Sequence, residues 1–535
     1  MLSYTSLILL FITAEILRRL CLSLYVAFTG PLAKVPGPLL WKLSKRIWHY
    51  HMVRGTSITV SAKLFEKYGD CVRIGMYFLS SLAFFLLRTN SKLIGPREVI
   101  FRSKDAIQQI LVEHDLKKAE DYKLLQEDPH ISNMFTETDA KRYKQMRRPL
   151  SAGFSISFLN GLEPLMQSCV NFMVEILESR CASQDNHAIV DVSTMFGNLA
   201  MDVMSATLFG GSFGLVISED PRMKNIFLRW MKWNFIFAAF PFMKYVPFTP
   251  DTAGEMDNMI DGIMSTRRKD KDQDHKDLLQ IFLDTNAADP VLFSDKHLRE
   301  EMRLFMIAGS DTTATTAMFT LLLLLNNPHK FQALVQEILT AFPDKDEPIV
   351  FAATQELPYL NAAINESTRL MPIVLTGLPR ETTETTFIDG YEIPKNVRLC
   401  RPFLTTPLPS PFHFLPMVVF EGEEQQEECL TTTYINMLQK DPRVWPDAEV
   451  YVPERWLGEY KGVVADRKAF MPFSTGSRNC IGQQFALREL RLILATMIRR
   501  FDLTLVPGQS HELMVHTVPY LKEGKYLVGL KMREK

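Results

Sequence analysis

The sequence predicts a mainly α-helical protein with a minor β portion. Apolar residues recur at helical spacing, with polar breaks between the segments, over 159–178, 190–208, 277–283 and 298–326. Short segments bounded by Gly and Pro have the pattern of strands at 71–75, 98–102 and 377–393, and a last hairpin is predicted over 516–530. The apolar run in 298–326 is interrupted by Arg303 and Asp311 before the roughly 20 residues of a membrane span, so we expect a buried core helix.

Composition and charge narrow the class of protein. The chain has 535 residues, of which 47% are hydrophobic and 23% charged, so it can bury a large core in one domain or in two. Its 60 basic and 61 acidic side chains leave a net charge of -1, and we predict no nucleic-acid partner. The seven cysteines lack the paired spacing of zinc or redox sites, which favours a reducing compartment.

The start of the chain has the composition of a membrane anchor. Residues 1–17 are mostly apolar with Glu15 as their only charge, and a second apolar stretch covers 20–28. Together the two stretches are long enough to cross a membrane at a tilt, and no cleavage site is evident. We therefore predict an uncleaved anchor over 1–30. Lys and Arg gather after it, which places the body of the protein, 31–535, on the cytoplasmic side.

Cys480 differs from the other cysteines in its surroundings. It lies between Gly476 and Gly482, and an amphipathic helix is predicted over 483–500. The glycines allow a tight turn and a close approach to a flat ligand, while the helix start lowers a thiol pKa through free N–H groups and a positive dipole end. We predict a thiolate at Cys480, with Arg478 placed to meet a cofactor carboxylate. A phosphate-binding turn is the alternative, but the Lys-Ser/Thr pair of a P-loop is missing.

The segment from Phe473 to Gly482 matches every fixed position of FxxGxRxCxG, the haem-binding signature of the cytochrome P450 family, and the chain resembles that family. Three further segments agree in order and spacing: 308–313 with the oxygen-activation motif, 366–369 with ExxR and 453–456 with PERF. Tyr143 and Arg147 lie where the family often has WxxxR. The resemblance covers nearly the whole chain and implies the cytochrome P450 fold.

The resemblance also implies a cofactor and its binding residues. Haem b, iron protoporphyrin IX, would be bound through iron to Cys480, with Phe473, Gly476, Arg478 and Gly482 around it. Arg147 and Arg380 lie at positions where the family contacts the haem propionates. On their own, these two arginines would be ordinary surface residues.

Two further groups of residues acquire roles from the resemblance. Asp311 and Thr312 form a polar pair within an apolar helix, a placement that is disfavoured without partners or a task, and the family uses such a pair to deliver protons during oxygen activation. Glu366 and Arg369 share a helix face and would alone be a solvated pair. With Arg455, they resemble the buried cluster that locks the loop carrying the cysteine.

The predicted activity follows from the thiolate. An axial cysteine favours O–O cleavage, and no GxGxxG or flavin-binding unit is visible, so the electrons would come from NADPH through a cytochrome P450 reductase. We predict a monooxygenase of the endoplasmic reticulum membrane that hydroxylates or epoxidises a hydrophobic small molecule in specialised metabolism. The aromatic-rich stretch 227–248 is either core or the roof of a substrate channel. The alternatives are a haem-thiolate isomerase or peroxide-driven enzyme, which needs no Asp–Thr pair, and a non-enzymatic haem-binding scaffold.

Two segments depart from the family pattern. Residues 76–94 are mostly apolar and separate two strand-like segments that should be joined by a tight turn. Residues 401–430 combine five prolines with an acidic run and have a composition typical of disorder. We predict that both are insertions or translated introns with approximate edges. Genuine surface loops are the alternative, and sequencing the mature transcript distinguishes the two.

Overall fold

The computed structural model describes most of the chain, namely residues 28–43, 54–74, 97–218, 254–270, 275–375, 377–395, 429–462, 464–515 and 518–533, with scattered positions at 6–25, 47–51 and 226–243. Within the described residues the chain forms two compact units. The first comprises Met1–Ala119 and Leu378–Tyr434, and the second comprises Glu120–Gly377 and Ile435–Lys535.

Helices account for most of the described structure, which confirms the predicted fold class. In chain order the α-helices are α1 Leu39–Leu43, α2 Ser57–Tyr68, α3 Lys104–Gln108, α4 Ala140–Leu150, α5 Ile156–Ala182, α6 Val192–Phe209, α7 Leu215–Ser218, α8 Gly254–Lys269, α9 Leu278–Ala288, α10 Asp295–Leu325, α11 Pro328–Ala341, α12 Phe351–Gln355, α13 Pro358–Leu370, α14 Ile435–Leu438 and α15 Gln483–Arg500. Single turns of 3₁₀-helix lie at Pro31–Lys34, Glu120–Leu125, Ser151–Phe154 and Pro453–Trp456, and a π-helical turn lies at Gln109–Glu113.

The strands are short. They are β1 Cys71–Ile74, β2 Arg97–Phe101, β3 Lys117–Lys118, β4 His187–Asp191, β5 Leu378–Glu381, β6 Thr386–Ile388, β7 Tyr391–Ile393, β8 Cys429–Thr433, β9 Phe501–Leu505, β10 Leu513–Val515, β11 Pro519–Leu521 and β12 Leu527–Met532. The prediction for the end of the chain is wrong in its pairing. The hairpin joins β10 to β11, while β12 lies between β4 and β9 in a separate sheet.

The first unit is built on a mixed sheet of order β1-β2-β8-β5-β3. β1 pairs antiparallel with β2, and β2 pairs parallel with β8, so the two strands that flank the first unusual segment are neighbours, as the sequence suggests. Residues 76–94 and 401–428 lie outside the described residues. β8 begins at Cys429, opposite Arg97, and Leu430 lies opposite Glu98, so these last two residues of the second unusual segment belong to the sheet.

The second unit is organised around α10. This helix starts at Ser294, whose hydroxyl accepts the N–H of His297 at 3.4 Å, and it ends before Pro328. It packs against α6, α13, α15, α8 and α9, which explains why apolar residues occur on nearly all of its sides. Among the described residues it is the helix long and apolar enough to cross a membrane, but 56% of its apolar window is buried in the protein, in agreement with a core helix.

The other helical predictions hold with shifted ends. Residues 159–178 lie within α5, 277–283 lie almost wholly within α9, and 483–500 coincide with α15. The segment 190–208 is helical only from Val192, because Val190 and Asp191 end β4 and the Asp191 carboxylate caps α6 through the N–H of Ser193 at 3.1 Å. Apolar periodicity cannot separate a short strand from the helix that follows it directly.

Gly309 lies where α10 crosses α6. A Cβ atom on this glycine would lie 2.4 Å from Sδ of Met204, whose side chain is 3% exposed. A glycine inside a helix costs about 1 kcal/mol against alanine, and from the sequence alone it would be interpreted as permitting a local opening of the helix. The structure gives a different reason for the residue, which is the close approach of two core helices.

Gly309→Ala should therefore destabilise the protein by roughly 1–3 kcal/mol, because the buried Met204 side chain must repack. Gly197→Ala is the matched control, since Gly197 lies inside α6 and its added Cβ would meet nothing within 4 Å. This control should gain about 1 kcal/mol from helix propensity. Urea unfolding followed by circular dichroism measures both, and equal gains in the two variants would contradict the packing argument.

Candidate functional site

The loop before α15 presents Cys480. Its backbone folds back on itself through three hydrogen bonds, in which the N–H of Ser474 donates to the Met471 carbonyl at 2.9 Å, that of Asn479 to Gly476 at 3.3 Å and that of Cys480 to Phe473 at 3.0 Å. Gly476 takes a φ of 77°, which a glycine adopts at little cost. The predicted tight turn is therefore present, and Cys480 follows directly from it.

The loop is joined to α15 at Gly482, which caps the helix, so Cys480 lies just before the helix N-terminus. Solvent reaches the thiol, although protein atoms surround it on most sides. Desolvation is the largest effect and raises the pKa of Cys480, while the N–H of Gly482 and the charge of Arg147 lower it. The lowering contributions expected at a helix start are present, but burial outweighs them.

Arg147 connects α4 to this loop. Its guanidinium donates to the carbonyl oxygen and the Oδ1 atom of Asn479, both at 2.8 Å, and to the hydroxyl of Tyr143 at 2.5 Å. These partners are neutral, so within the described residues the contacts leave the positive charge of Arg147 available to an anion. Asn479, which occupies a variable position of the motif, carries no signal in the sequence that predicts this role.

Arg478 contacts the same tyrosine. Its guanidinium carbon is 3.7 Å from the centre of the Tyr143 ring, and it donates to the carbonyl of Glu137 at 2.9 Å. One aromatic residue of α4 thus contacts both arginines, by its face and by its hydroxyl. The structure brings Arg147, Arg478 and Cys480 together around this ring and the adjoining loop.

Glu366 forms a cluster with Arg369 and Arg455, the two arginines that the sequence predicts as its partners. Its Oε1 atom accepts from Nη2 of Arg369 at 2.9 Å and from Nε of Arg455 at 3.0 Å, and all three side chains are buried. Its Oε2 atom accepts from Nε of Arg369 at 2.9 Å and from the indole N–H of Trp456 at 3.0 Å. The N–H of Val452 donates to Oε1 at 3.0 Å, so the buried carboxylate has a donor for each of its lone pairs.

The two arginines also hold the chain between α14 and the cysteine loop. Arg369 donates to the carbonyls of Gln439 and Ala448, both at 2.7 Å. Arg455 donates to the carbonyl of Pro446 at 3.0 Å. Removal of one partner from such a buried ion pair costs about 3–5 kcal/mol, so the cluster fixes this stretch firmly.

Asp311 and Thr312 lie at the middle of α10, on the face that the core does not cover. Ala308 is exposed, and Asp311, Thr312 and Thr315 are partly exposed, whereas most other residues of this helix are buried. The Thr312 hydroxyl donates to the Ala308 carbonyl at 2.6 Å, which places it beside the exposed residue. α10 packs directly on α15, the helix that follows Cys480.

Arg380 belongs to the other unit, where it lies on β5 and is 3% exposed. Its guanidinium donates to the carbonyl of Pro379 at 3.0 Å. Lys118 lies directly opposite on β3 and is 7% exposed. Like charges that lie directly opposite each other in a sheet repel. No local signal in the sequence marks Lys118, because only the strand register places it next to Arg380.

These residues fit a haem. A thiol after a glycine turn can approach a flat ring closely, Arg147 keeps its charge while bound to neutral atoms, and a long core helix exposes a polar pair on one face. This combination in a mainly α-helical fold defines the class of haem-thiolate enzymes.

The family can now be stated. The family model described as Cytochrome P450 matches residues 90–404 and 418–528, and the chain belongs to this family. Its members carry a haem-thiolate cofactor. The unmatched residues 405–417 lie inside the second unusual segment.

Similar curated proteins agree in length and description. Cytochrome P450 monooxygenase FUS8 of Gibberella moniliformis is 29% identical over 510 residues, which cover 94% of this chain and 89% of that protein. Cytochrome P450 monooxygenase LUC2 of a Fusarium species is 28% identical over 539 residues, which cover 99% and 95%. Cytochrome P450 monooxygenase acrD of Aspergillus aculeatus is 28% identical over 514 residues, which cover 94% and 92%. The protein is therefore a monooxygenase, and the predicted family, fold and enzyme class are confirmed.

The turn of the cysteine loop contains one strained residue, Ser474, with a φ of 61° and a buried hydroxyl that has no hydrogen-bond partner in the structure. Ser474→Gly should stabilise the protein by about 1 kcal/mol, because a left-handed conformation costs other residues roughly 1–2 kcal/mol more than glycine. Gly476→Ala should destabilise by a similar amount for the same reason. Thermal unfolding of both variants measures the effect, and a lower melting temperature for Ser474→Gly would contradict this account of the turn.

Proposed function

We propose that the protein is a membrane-anchored monooxygenase that hydroxylates or epoxidises a hydrophobic small molecule, with dioxygen and with electrons from NADPH through a reductase. The observation that carries the proposal is the position of Cys480, which follows a hydrogen-bonded glycine turn and lies beside Arg147 at the start of α15. The cofactor is haem b, with Cys480 as the ligand of its iron.

Cys480 supplies the sulfur ligand. The surrounding protein raises the pKa of its thiol, so we infer that metal binding displaces the proton, since a coordinating thiol is deprotonated outright. When bound, the haem supplies dioxygen activation, which an axial thiolate promotes. The N–H of Gly482 and the guanidinium of Arg147 stabilise the negative sulfur.

The cationic side chains would hold the propionates. Arg147 and Arg478 both contact Tyr143, and the family resemblance adds Arg380 of the first unit. Guanidinium groups bind carboxylates in a fixed geometry and keep their charge when buried, which suits this task. Phe473, Gly476 and Gly482 shape the turn that would lie against the ring.

Asp311 and Thr312 would transfer protons from solvent. The hydroxyl proton of Thr312 lies in a bond to the Ala308 carbonyl, and rotation of the hydroxyl turns the same proton towards the exposed face. Asp311, one residue away and partly exposed, can take a replacement proton from solvent. The pair therefore connects solvent to a reacting oxygen through side chains of one helix.

The electron donor would dock on α4. Lys141, Lys144 and Arg148 are exposed on this helix, and Arg147 of the same helix contacts the cysteine loop. An acidic reductase surface would be attracted to these cations and brought near the loop.

The start of the chain and the aromatic-rich stretch bear on the anchor and the substrate class. Described positions between 6 and 28 are helical, and Leu10, Leu17 and Phe28 are exposed there, as a helix bound for a lipid environment requires. Most of the aromatic-rich stretch 227–248 lies outside the described residues. Of its described residues, Trp233 and Phe237 have ring centres 5.7 Å apart. We propose the endoplasmic reticulum membrane and, since the similar proteins come from fungi, a role in specialised metabolism.

Replacement of Cys480 tests the cofactor assignment. Cys480→Ala and Cys480→His should abolish the thiolate-type Soret band of the reduced carbon monoxide complex, because neither side chain supplies sulfur. Cys181→Ala, which changes a buried cysteine of α5, should keep the band. Retention of the band in either Cys480 variant would rule out the assignment.

The proposed proton pathway predicts a change in coupling, which is the yield of oxidised product per NADPH consumed. Thr312→Ala should lower the yield of oxidised product per NADPH by about tenfold or more and divert electrons to hydrogen peroxide, since general acid catalysis contributes at least that much. Thr312→Ser should restore most of the yield. Thr320→Ala, which removes the hydroxyl of a buried threonine of the same helix, is the control and should leave the coupling unchanged. Equal coupling in all three variants would contradict the proposed role.

A further inference from the structure

The chain enters the cysteine loop through Phe470 and Met471, and each of these residues is contacted by a side chain to which the sequence motifs assign no role. The Met471 N–H donates to Oε1 of Gln439 at 3.1 Å. The Phe470 ring lies 4.4 Å from the ring of Trp456, tilted by 58°. Both contacts reach back to the Glu366 cluster.

Gln439 spans the distance between that cluster and the loop. Its Nε2 atom donates to the carbonyls of Thr368 and Arg369, at 3.0 and 3.2 Å, while its side chain is fully buried. These carbonyls lie in the last turn of α13, where a helix leaves its carbonyls without intrahelical partners. The Gln439 side-chain nitrogen donates to these carbonyls and its oxygen accepts from the Met471 N–H, so the orientation of the amide group is fixed.

Trp456 makes a second connection between the Glu366 cluster and the cysteine loop. Its indole N–H donates to Oε2 of Glu366 at 3.0 Å, and the same ring packs on Phe470. The family motif has phenylalanine at this position, which could pack but could not donate. The indole therefore adds a hydrogen bond to the carboxylate on which both arginines depend.

The entry residue sets the position of the cysteine. The Met471 carbonyl accepts the N–H of Ser474 at 2.9 Å, and two residues later the Phe473 carbonyl accepts the N–H of Cys480 at 3.0 Å. Movement of Met471 is therefore passed to Cys480 through the hydrogen bonds of the turn. Met471 is 4% exposed, so loss of the Gln439 oxygen leaves its N–H buried without a partner.

We propose that Gln439 and Trp456 are positioning residues that couple the Glu366 cluster to the Cys480 loop and so maintain the sulfur ligand. The inference rests on the proposed function for the identity of that ligand, and on contacts within the second unit for the coupling itself.

The test compares ligand loss with unfolding in the full-length, haem-loaded protein. Gln439→Leu removes the amide with little change of size, and Trp456→Phe keeps an aromatic ring while removing the N–H. Ile260→Val is the control, because it removes a buried methyl group from α8, a helix that does not carry any of these contacts, and it should lower the unfolding midpoint. The measurements are the rate at which the thiolate-type carbon monoxide complex is lost in moderate urea, and the unfolding midpoint from far-ultraviolet circular dichroism.

Gln439→Leu should speed the loss of the thiolate-type complex about tenfold, a factor equivalent to about 1.4 kcal/mol. Trp456→Phe should speed it about threefold. Each protein is compared at a urea concentration that lies the same interval below its own unfolding midpoint, and under this comparison Ile260→Val should leave the rate unchanged. The proposal is overturned if the two positioning variants lose the complex no faster than Ile260→Val under that comparison. Absence of a thiolate-type complex in the wild-type protein would instead contradict the proposed function.

Discussion

The hydrogen bonds of the buried Glu366 carboxylate are the interaction on which the rest of the second unit depends. The carboxylate is fully buried, and it accepts hydrogen bonds from Arg369, Arg455, Trp456 and the backbone of Val452. A buried ion pair repays the cost of desolvation only when its geometry is good and its remaining lone pairs are satisfied, and both conditions hold here. The arginines then use their other N–H groups on backbone carbonyls, so one charge pair organises the whole stretch between α14 and the cysteine loop.

This arrangement explains how a loop without regular secondary structure can hold Cys480 in one position. The loop has few apolar side chains to bury, and its order comes from hydrogen bonds: the turn from Met471 to Cys480, the Arg147 contacts with Asn479, and the Gln439 amide. Such preorganisation matters because a site that is loosely held binds and orients its cofactor poorly. Burial raises the pKa of the Cys480 thiol, so under the proposed function its final deprotonation would accompany metal binding.

The features that could be predicted are those with a local signal. The period of α10 and α15, the glycine turn and the order of the motifs are all contained in short stretches of sequence. The features that were missed depend on residues far apart in the chain. Lys118 acquires meaning only opposite Arg380 in the strand register, Gly309 only beside Met204, and β12 only between β4 and β9. The apolar pattern predicts the start of α6 two residues too early for a local reason, because a half-buried strand and an apolar helix adjoin without a break.

The most direct test of the account is X-ray absorption spectroscopy at the iron edge of the purified protein, because it reports the atoms bound to the metal without dependence on turnover. The account predicts a sulfur atom in the first coordination shell of the wild-type protein and its loss in Cys480→Ser. A shell of nitrogen and oxygen atoms alone in the wild-type protein, or a sulfur ligand that remains in Cys480→Ser, would contradict it.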